Sequence, residues 1–306
     1  MRQLVQADEK SVYRVERTGQ SPWLLRAAAP QASPDAFRRD AAILTFLESH
    51  AYPAPRIVPA LDGVTVTECM ERPVFITTYI TGESTDYSPA SLGLLGESLG
   101  RLHALPLPTL TSATETQVLP PANMLPRSEL VAAHAWLAEV RERVPRVYRA
   151  RFEQLETACH ALDLLEDLPL TLIHNDCHPA NSVRTPDAQV VLIDWEGAGC
   201  GAAIIDVGFL LVSCEIEAFR PNRLLPDPRR MAAVVDGYCR HHQLSRDELD
   251  RLPDAIRFRS IVACAGELWS MVRKGRRNNG SDWAWARFLA ADEIAARARE
   301  RFERHA

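Results

Sequence analysis

The segment from His174 to Asp194 constrains this chain most, because it fixes polar side chains on both sides of a short apolar strand. It opens with the run HNDCHPAN at 174–181, offers a turn at 184–188, and continues through VVLI at 190–193 into Asp194. An apolar strand of this length is typical of a buried strand that ends at a cleft. The segment therefore predicts a loop and a hairpin that bring Asp176, Asn181 and Asp194 together.

These side chains are the types that phosphoryl transfer requires. The reaction needs a carboxylate to orient the attacking hydroxyl, oxygen ligands for magnesium, and cations around the phosphates. We expect Asp176 to orient the hydroxyl and accept its proton, and we expect Asn181 and Asp194 to bind Mg²⁺. We expect His174 to brace the loop through hydrogen bonds. An Asp- and Asn-rich structural turn is the alternative.

Composition narrows the functional classes. The 306 residues are 46% hydrophobic, enough for a large core, and the net charge of -5 comes without a long basic run, which argues against a nucleic-acid partner. Seven scattered cysteines without C-x-x-C spacing are typical of a reducing compartment, so we expect a cytoplasmic protein. The charged N-terminus and the interruption of the longest apolar run by Asp206 predict neither a signal peptide nor a membrane span.

The first eighty residues predict strands around one helix. We expect strands at 2–6, 12–16, 23–27, 64–69 and 74–80, with a turn at 71–73. A helix is predicted between them, with Ser33 as N-cap, Pro34 as its first residue, and an apolar face of Phe37, Ala41, Leu44 and Leu47.

From Ser88 the pattern becomes helical. Helices are predicted from Ser88 to His103 and at 129–143, 147–165, 228–242, 247–273 and 283–304, with the strand-rich island at 170–193 among them. The proline-rich stretch 105–127 is interpreted as an irregular surface connection. This division predicts an N-terminal lobe at 1–82 and a larger, mainly helical lobe at 83–306.

The sequence excludes a Walker-type phosphate loop, because Lys10-Ser11 lacks the preceding glycines that such a loop requires. The chain instead resembles the aminoglycoside phosphotransferase family, which includes choline and homoserine kinases. The resemblance rests on the 174–181 loop, the DWE run at 194–196, the LGRLH run at 99–103, the FITTY run at 75–79 and Ile205-Asp206.

The resemblance implies an α+β, bilobal, protein-kinase-like fold: a small antiparallel-sheet lobe with one helix, and a larger helical lobe. It also implies ATP or GTP as donor, Mg²⁺, and transfer of the γ-phosphate to a small-molecule hydroxyl, with adenine read by the backbone near Thr77 to Tyr79. An aminoglycoside-type antibiotic, an amino alcohol or a sugar is the implied acceptor, and antibiotic resistance is a family-level association. The sequence does not identify the oligomeric state.

The small lobe departs from the family pattern. Arg26 and Asp40 stand where the kinase-like lysine and its helix glutamate are expected, and we expect them to pair, with Arg26 gripping phosphate. The loop at 7–11 has no glycine, so Lys10 and Ser11 are the expected nucleotide contacts there.

The acceptor site is expected in the helical lobe. Candidate acidic and aromatic side chains are Glu215, Glu217, Glu267 and Trp269, of which acidic groups suit a polycation and aromatic faces suit a quaternary amine. The basic run at 273–277 instead favours an anionic acceptor or an exposed turn.

Three other functions fit parts of the sequence. The glycines of Gly197–Gly201 resemble a dinucleotide-binding turn of an NAD-dependent oxidoreductase, although the DWE run separates them from the strand. His174, Asp176 and His178 could serve a metal hydrolase if further ligands joined them. A catalytically silent nucleotide-binding protein of the same fold is the third alternative.

Overall fold

The computed structural model describes residues 2–6, 10–107, 119–216, 227–275 and 281–305. Its N-terminal part is an antiparallel sheet with strand order β1-β2-β3-β6-β4 and with β5 paired to β6. The strands of this sheet and the one helix between them are β1 (Arg2–Gln6), β2 (Lys10–Arg17), β3 (Gln20–Ala28), α1 (Asp35–Ser49), β4 (Ile57–Val58), β5 (Thr67–Cys69) and β6 (Arg72–Thr78).

The predicted core face of α1 is confirmed. Phe37, Ala41, Leu44 and Leu47 are all buried, and the Phe37 ring meets Phe75 of β6 edge-on at 4.9 Å between centroids. The predicted cap is wrong by one residue. Pro34 occupies the N-cap position and α1 begins at Asp35, although the Ser33 hydroxyl still accepts the Asp35 N–H at 3.2 Å.

The hairpin between β5 and β6 differs from the predicted turn at 71–73. Arg72 and Pro73 belong to β6, and the turn consists of Met70 and Glu71, both with positive φ (53° and 58°). Two left-handed residues are the geometry of a tight hairpin turn, which usually signals itself by glycine or asparagine. Because neither is present here, the sequence pattern placed the turn too late.

The remainder of the chain is mainly helical and carries two small antiparallel sheets. One has the order β10-β9-β7 and the other pairs β11 with β8. The elements are β7 (Glu83–Ser84), α2 (Pro89–His103), α3 (Pro126–Val140), α4 (Arg149–Ala161), β8 (Leu170–Ile173), β9 (Ser182–Arg184), β10 (Val190–Leu192), β11 (Gly199–Ala202), α5 (Ala203–Glu215), α6 (Pro228–Tyr238), α7 (Arg246–Asp250), α8 (Leu252–Lys274) and α9 (Ser281–Phe302).

Between Thr78 and Glu83 the chain passes from one sheet to another, and the lobe boundary at residue 82 stays a prediction. The helix predicted from Ser88 begins at Pro89, and Ser88 caps it, since the Ser88 hydroxyl accepts the Ser91 N–H. The predicted helix at 247–273 is interrupted at Arg251, where α7 ends and α8 begins. None of the helices in the described ranges is long and apolar enough to cross a membrane.

Close packing of α2 on α6 fixes the base of the site. A Cβ on Gly96 would lie 2.2 Å from the Val234 carbonyl oxygen, and one on Gly100 would lie 2.4 Å from that of Tyr238. Glycine at these positions lets the two backbones approach more closely than any side chain would allow. The contact sets His103, at the end of α2, against Tyr238, at the end of α6.

Candidate active site

A buried carboxylate holds the loop that follows β8. Asp206 of α5 accepts the main-chain N–H of His174 through Oδ2 and that of Asn175 through Oδ1, both at 2.7 Å. His103 contacts Asp206 Oδ2 through Nε2 at 3.2 Å, and its Nδ1 meets the Tyr238 hydroxyl at 2.8 Å. Burial acts to raise the pKa of Asp206, but the hydrogen bond and charge of His103 and the contacts of His174 lower it below its ordinary value. The carboxylate is thus kept ionised to hold the loop.

His174 links this loop to the end of β10. Its Nε2 lies 2.9 Å from the carbonyl oxygen of Ile193, which can only accept, so Nε2 carries the proton. Its Nδ1 therefore accepts the Asp176 N–H at 3.3 Å. Burial lowers the pKa of His174, which keeps the ring neutral. These are the contacts expected of a bracing residue, and they tie the backbone of Asp176 to the residue before Asp194.

Asn181 holds the carboxylate of Asp176. Its amide nitrogen donates to Asp176 Oδ2 at 2.6 Å and to the Asp176 carbonyl oxygen at 3.1 Å. Because the nitrogen is committed on this side, the amide oxygen points away from Asp176. His178 Nε2 lies 3.8 Å from the other oxygen, Asp176 Oδ1.

Asp194 stands just beyond β10 in a left-handed conformation, with φ 64° and ψ 63°. Such a backbone is uncommon for a residue other than glycine and persists only where the surroundings impose it. The next residue supplies part of that constraint, because the buried Trp195 donates its indole N–H to the Leu192 carbonyl oxygen at 3.0 Å. The carboxylate of Asp194 remains 42% exposed.

A cleft of about 350 Å³ separates the N-terminal sheet from the β9–β10 hairpin. Its walls come from both parts of the chain. They are formed by Leu4, Lys10, Val12, Leu24, Arg26, Pro55, Thr78, Tyr79, Ile80, Asn181, Val183, Ile193 and Asp194.

Two cations of the sheet reach across this cleft. Lys10 and Arg26 lie on one face, since Val12 is paired with Arg26 in the register and Lys10 is two residues before Val12. The Lys10 ammonium forms an ion pair with Glu196 and lies 4.0 Å from Asp194 Oδ1, and Arg26 Nη2 lies 3.9 Å from the same oxygen. The Nε of Arg26 is buried without a hydrogen-bond partner in the described structure. Both cations are placed to meet an anion in the cleft.

The model of the phosphotransferase enzyme family matches residues 3–258 of this chain. The chain belongs to that family. The match confirms the predicted family.

Solved phosphotransferases show the same fold. An amicoumacin kinase in complex with AMP-PNP, Ca²⁺ and Ami superposes with a TM-score of 0.66 at 16% identity, over 95% of this chain and 88% of that one. An aminoglycoside phosphotransferase of Alicyclobacillus acidocaldarius gives 0.64 at 14% identity, over 99% and 92%. Choline kinase LicA of Streptococcus pneumoniae gives 0.59 at 14% identity, over 96% and 92%. The predicted bilobal α+β fold is confirmed.

A homoserine kinase of Hyphomonas neptunium is a curated relative of this chain. The two are 28% identical over 211 residues, which is 68% of this chain. The aligned part spans 62% of the relative's length.

The structure does not fit the alternative of an NAD-dependent oxidoreductase. Gly199–Ala202 form β11, which runs antiparallel to β8, so these glycines are strand rather than the turn that opens a dinucleotide-binding helix. The strand pairs of the described sheets are all antiparallel, whereas a dinucleotide-binding unit requires parallel strands.

The guanidinium group of Arg26 lies near the carboxylate of Asp194 rather than near that of Asp40. No ion pair within 4.0 Å joins Arg26 and Asp40, both of which lie in the described ranges. Asp40 is buried, at 6% exposure. Burial and then the negative charge of Glu196 raise its pKa to about 7, against opposing effects of Arg26, Arg39 and Lys10. The predicted Arg26–Asp40 ion pair is not formed in the described structure, where Arg26 lies 3.9 Å from Asp194 instead.

The other nucleotide contacts predicted in the small lobe divide by face. Ser11 is buried and is paired with Ala27, on the opposite face from Lys10, and it does not line the cleft. Thr77 is fully buried and also lies outside the lining, whereas Tyr79 lies within it.

Two backbone N–H groups of this stretch already have hydrogen-bond partners. The Thr78 N–H donates to the Arg56 carbonyl oxygen at 2.8 Å, and the Tyr79 N–H donates to that of Pro22 at 3.2 Å. We therefore expect a purine base to find its backbone donor from Ile80 onward rather than at Thr78 or Tyr79.

The acceptor candidates are not gathered at Asp176. Trp269 donates its indole N–H to Glu139 at 2.6 Å and lies 6.4 Å from the Trp136 ring, which places it between α8 and α3. The Glu215 side chain is 8% exposed and forms an ion pair with Arg297 of α9 at 3.4 Å. Glu267 lies on α8 two residues before Trp269, and Glu217 lies outside the described residues.

Other residues, which the sequence pattern did not single out, surround Asp176. Arg259 of α8 donates to the carbonyl and side-chain oxygens of Asn175, the latter at 2.7 Å. The Phe209 ring of α5 lies 5.8 Å from the His178 ring and stands under the guanidinium groups of Arg259 and Arg287, at 4.9 and 5.7 Å. Nothing in the spacing of these three residues marks them, because they come from three different helices.

Proposed function

We propose that this phosphotransferase transfers the γ-phosphate of ATP, bound with Mg²⁺, to a hydroxyl group of a small molecule. The observation that carries the proposal is the position of Asn181. Its amide nitrogen holds Asp176, while the residue also lines the cleft together with Asp194. One side chain thereby connects the group that would orient the acceptor with the cleft that would hold the phosphates.

The donor atoms at this point suit magnesium. Asn181 and Asp194 offer an amide oxygen and a carboxylate, and Mg²⁺ is commonly held by one or two protein oxygens together with phosphate oxygens and water. Glu196 lies two residues beyond Asp194, and its carboxylate forms an ion pair with Lys10. When bound with the nucleotide, the metal would neutralise charge on the phosphate oxygens. The amicoumacin kinase of the same fold was solved with a nucleotide analogue and a divalent cation, which supports an adenine nucleotide as donor.

Asp176 would act on the acceptor hydroxyl. The hydroxyl oxygen forms a bond to the γ-phosphorus as the bond between that phosphorus and the β–γ bridging oxygen breaks, and ADP leaves with the bonding electron pair. The hydroxyl proton passes to Asp176, whose orientation is fixed by Asn181 and by the His174 brace. Lys10 and Arg26 would stabilise the charge of the phosphates from the sheet side.

The test is the Asp176→Asn variant. We expect kcat to fall by about 10²–10⁴-fold, the range for loss of a general base, while the affinity for Mg·AMP-PNP measured by calorimetry stays near that of the wild type. Asp187→Asn, a change of the same kind in the exposed β9–β10 turn, serves as the control and is expected to retain activity. Equal turnover by Asp176→Asn would contradict the proposal, and nucleotide binding without any transfer by the wild type would favour the catalytically silent alternative.

A further inference from the structure

The side of Asp176 that faces α5, α8 and α9 carries an excess of positive charge. Arg259 and Arg287 stand over the same ring, that of Phe209, which meets His178 edge-on. His178 in turn lies 3.8 Å from Asp176 Oδ1. We name the three residues Arg259, Arg287 and Phe209 the arginine wall. It lies one side chain away from the proposed catalytic carboxylate.

Neither arginine of the wall has an acidic partner. Within the described ranges, no Asp or Glu oxygen lies within 4.0 Å of either guanidinium group. Other arginines of the same helices are paired: Arg257 of α8 with Asp292, and Arg297 of α9 with Glu215. Asp176, Asp206 and Glu129 act on Arg259 only at longer range.

The wall is also poorly solvated. Arg287 is 2% exposed, and its Nε and Nη2 both donate to one carbonyl oxygen, that of Ile216, at 2.9 and 2.6 Å. Burial lowers the pKa of Arg287 to about 10 and lowers that of Arg259. The Nε of Arg259 is buried without a hydrogen-bond partner in the described structure. A desolvated cation without a counter-ion is costly, and an incoming anion would relieve that cost.

We infer that the acceptor of this phosphotransferase is a small hydroxy compound with an anionic group, such as a carboxylate, and that the arginine wall binds that group. The inference rests on the proposed function and adds the substrate class. A polycationic acceptor would place its ammonium groups against two unpaired guanidinium groups, so the wall disfavours the aminoglycosides expected from the sequence. Phe209 would keep the site dry, which strengthens the contact between arginine and anion.

The first experiment compares matched acceptors with the wild-type protein. The probes are L-homoserine against its carboxamide, glycerate against glyceramide, glycerol 3-phosphate against glycerol, and kanamycin as a polycation, each with Mg·ATP. In at least one pair we expect kcat/KM for the anionic member to exceed that of its neutral partner by about 10–100-fold, the effect of a hydrogen bond to a charged group. The pair that responds distinguishes a carboxylate from a phosphate group.

The second experiment removes the wall. In Arg287→Gln and Arg259→Gln we expect the preference for the anionic member to fall about 10-fold or more, through KM, whereas Arg257→Gln on the same helix as Arg259 retains it. If Arg287 only caps the end of α5, its variant will lose stability in thermal unfolding but keep the wild-type preference, which overturns its role. Because the acceptor comparison uses the wild type, the inference stays testable if a variant does not fold.

The outcomes separate the inference from the proposed function. Equal use of both members in every pair, preference for kanamycin, or failure to use any anionic probe would overturn the inference. In the same assays, loss of transfer to the preferred acceptor in Asp176→Asn would leave the proposed function standing. Unchanged transfer in Asp176→Asn would contradict the proposed function itself.

Discussion

The buried carboxylates of Asp206 and Asp40, on the two sides of the cleft, differ in whether they hold a proton. Asp206 is fully buried and ionised, because it accepts two main-chain N–H groups and faces His103. Asp40 is buried with no ion pair within 4.0 Å in the described structure, and burial raises its pKa to about 7. The difference follows from hydrogen bonding: a carboxylate with several donors keeps its charge in a dry environment, and one without them holds its proton.

Replacement of Asp206 is expected to release the loop that carries Asp176. Asp206→Asn places an amide nitrogen against at least one of the two N–H donors and removes the negative charge beside His103. We expect the free energy of unfolding to fall by about 2–4 kcal/mol, in the range for breaking a buried charged network. Urea denaturation of the variant beside Asp187→Asn, in an exposed turn, measures this loss. Equal midpoints for the two variants would contradict the supporting role of Asp206.

Asp40 is expected to make stability depend on pH in the absence of nucleotide. Its pKa is about 7 in the folded protein and 3.8 ordinarily, so between these values the folded chain holds a proton that the unfolded chain has released. The contribution of Asp40 to stability therefore decreases as pH rises from about 4 to about 7, by up to about 1.4 kcal/mol per pH unit, and is flat above this window. Denaturant unfolding of wild type and Asp40→Asn across pH 4–8 should show the variant gaining relative stability as pH rises. A constant difference would refute the shift.

At the scale of elements, α2 and α6 beneath the site pack with their backbones close together. α2 carries three glycines at one face, Gly93, Gly96 and Gly100, but they are not equivalent. A Cβ on Gly96 would approach a carbonyl oxygen of α6 to 2.2 Å, whereas one on Gly93 would lie 3.5 Å from the nearest atom, an ordinary contact.

Substitutions at these glycines are expected to act in opposite directions. Gly96→Ala should force α2 away from α6 and lower the unfolding free energy by about 1–3 kcal/mol, the usual cost of overpacking. Gly93→Ala should be neutral or stabilise by about 0.5–1 kcal/mol, because alanine is the better helix former. Chemical denaturation of both variants gives the comparison, and a stable Gly96→Ala protein would show that the helices can separate without cost.

At the scale of the whole molecule, the cleft that we propose for the nucleotide is shared between two parts of the chain. Lys10 and Arg26 belong to the N-terminal sheet, and Asp194 and Glu196 follow β10 in the larger part. Ion pairs between these residues cross the cleft. A nucleotide would exchange such contacts for contacts to its phosphates, so the affinity depends on both sides.

We expect Lys10→Met and Arg26→Met each to weaken Mg·ATP binding by about 10-fold or more, since each removes a charge-assisted contact. Arg17→Met, on the same sheet but with its guanidinium over Trp23 at 3.9 Å, should bind like the wild type. Calorimetry with Mg·AMP-PNP measures all three. If Arg26→Met matches Arg17→Met, Arg26 has no role in binding phosphate.

Features that depend on residues close together along the chain could be predicted from the sequence alone. The family, the kinase-like fold and the inward face of α1 could be predicted, because motif spacing and helical periodicity depend only on neighbours along the chain. Asp176, Asn181 and Asp194 were predicted to lie close together for the same reason, since one loop and one hairpin connect them. The turn at Met70-Glu71 was not predicted correctly, because neither residue type indicates a left-handed backbone.

Contacts between residues far apart along the chain became known from the tertiary structure. Lys10 pairs with Glu196 although 186 residues separate them, and Arg26 faces Asp194 instead of Asp40. The arginine wall assembles from α5, α8 and α9, whose residues carry no common spacing. Contacts of this kind depend on how helices and sheets pack, and packing is set by the whole core rather than by any one segment. The proposed catalytic roles could thus be predicted from one segment, whereas the acceptor charge that we infer follows from the packing.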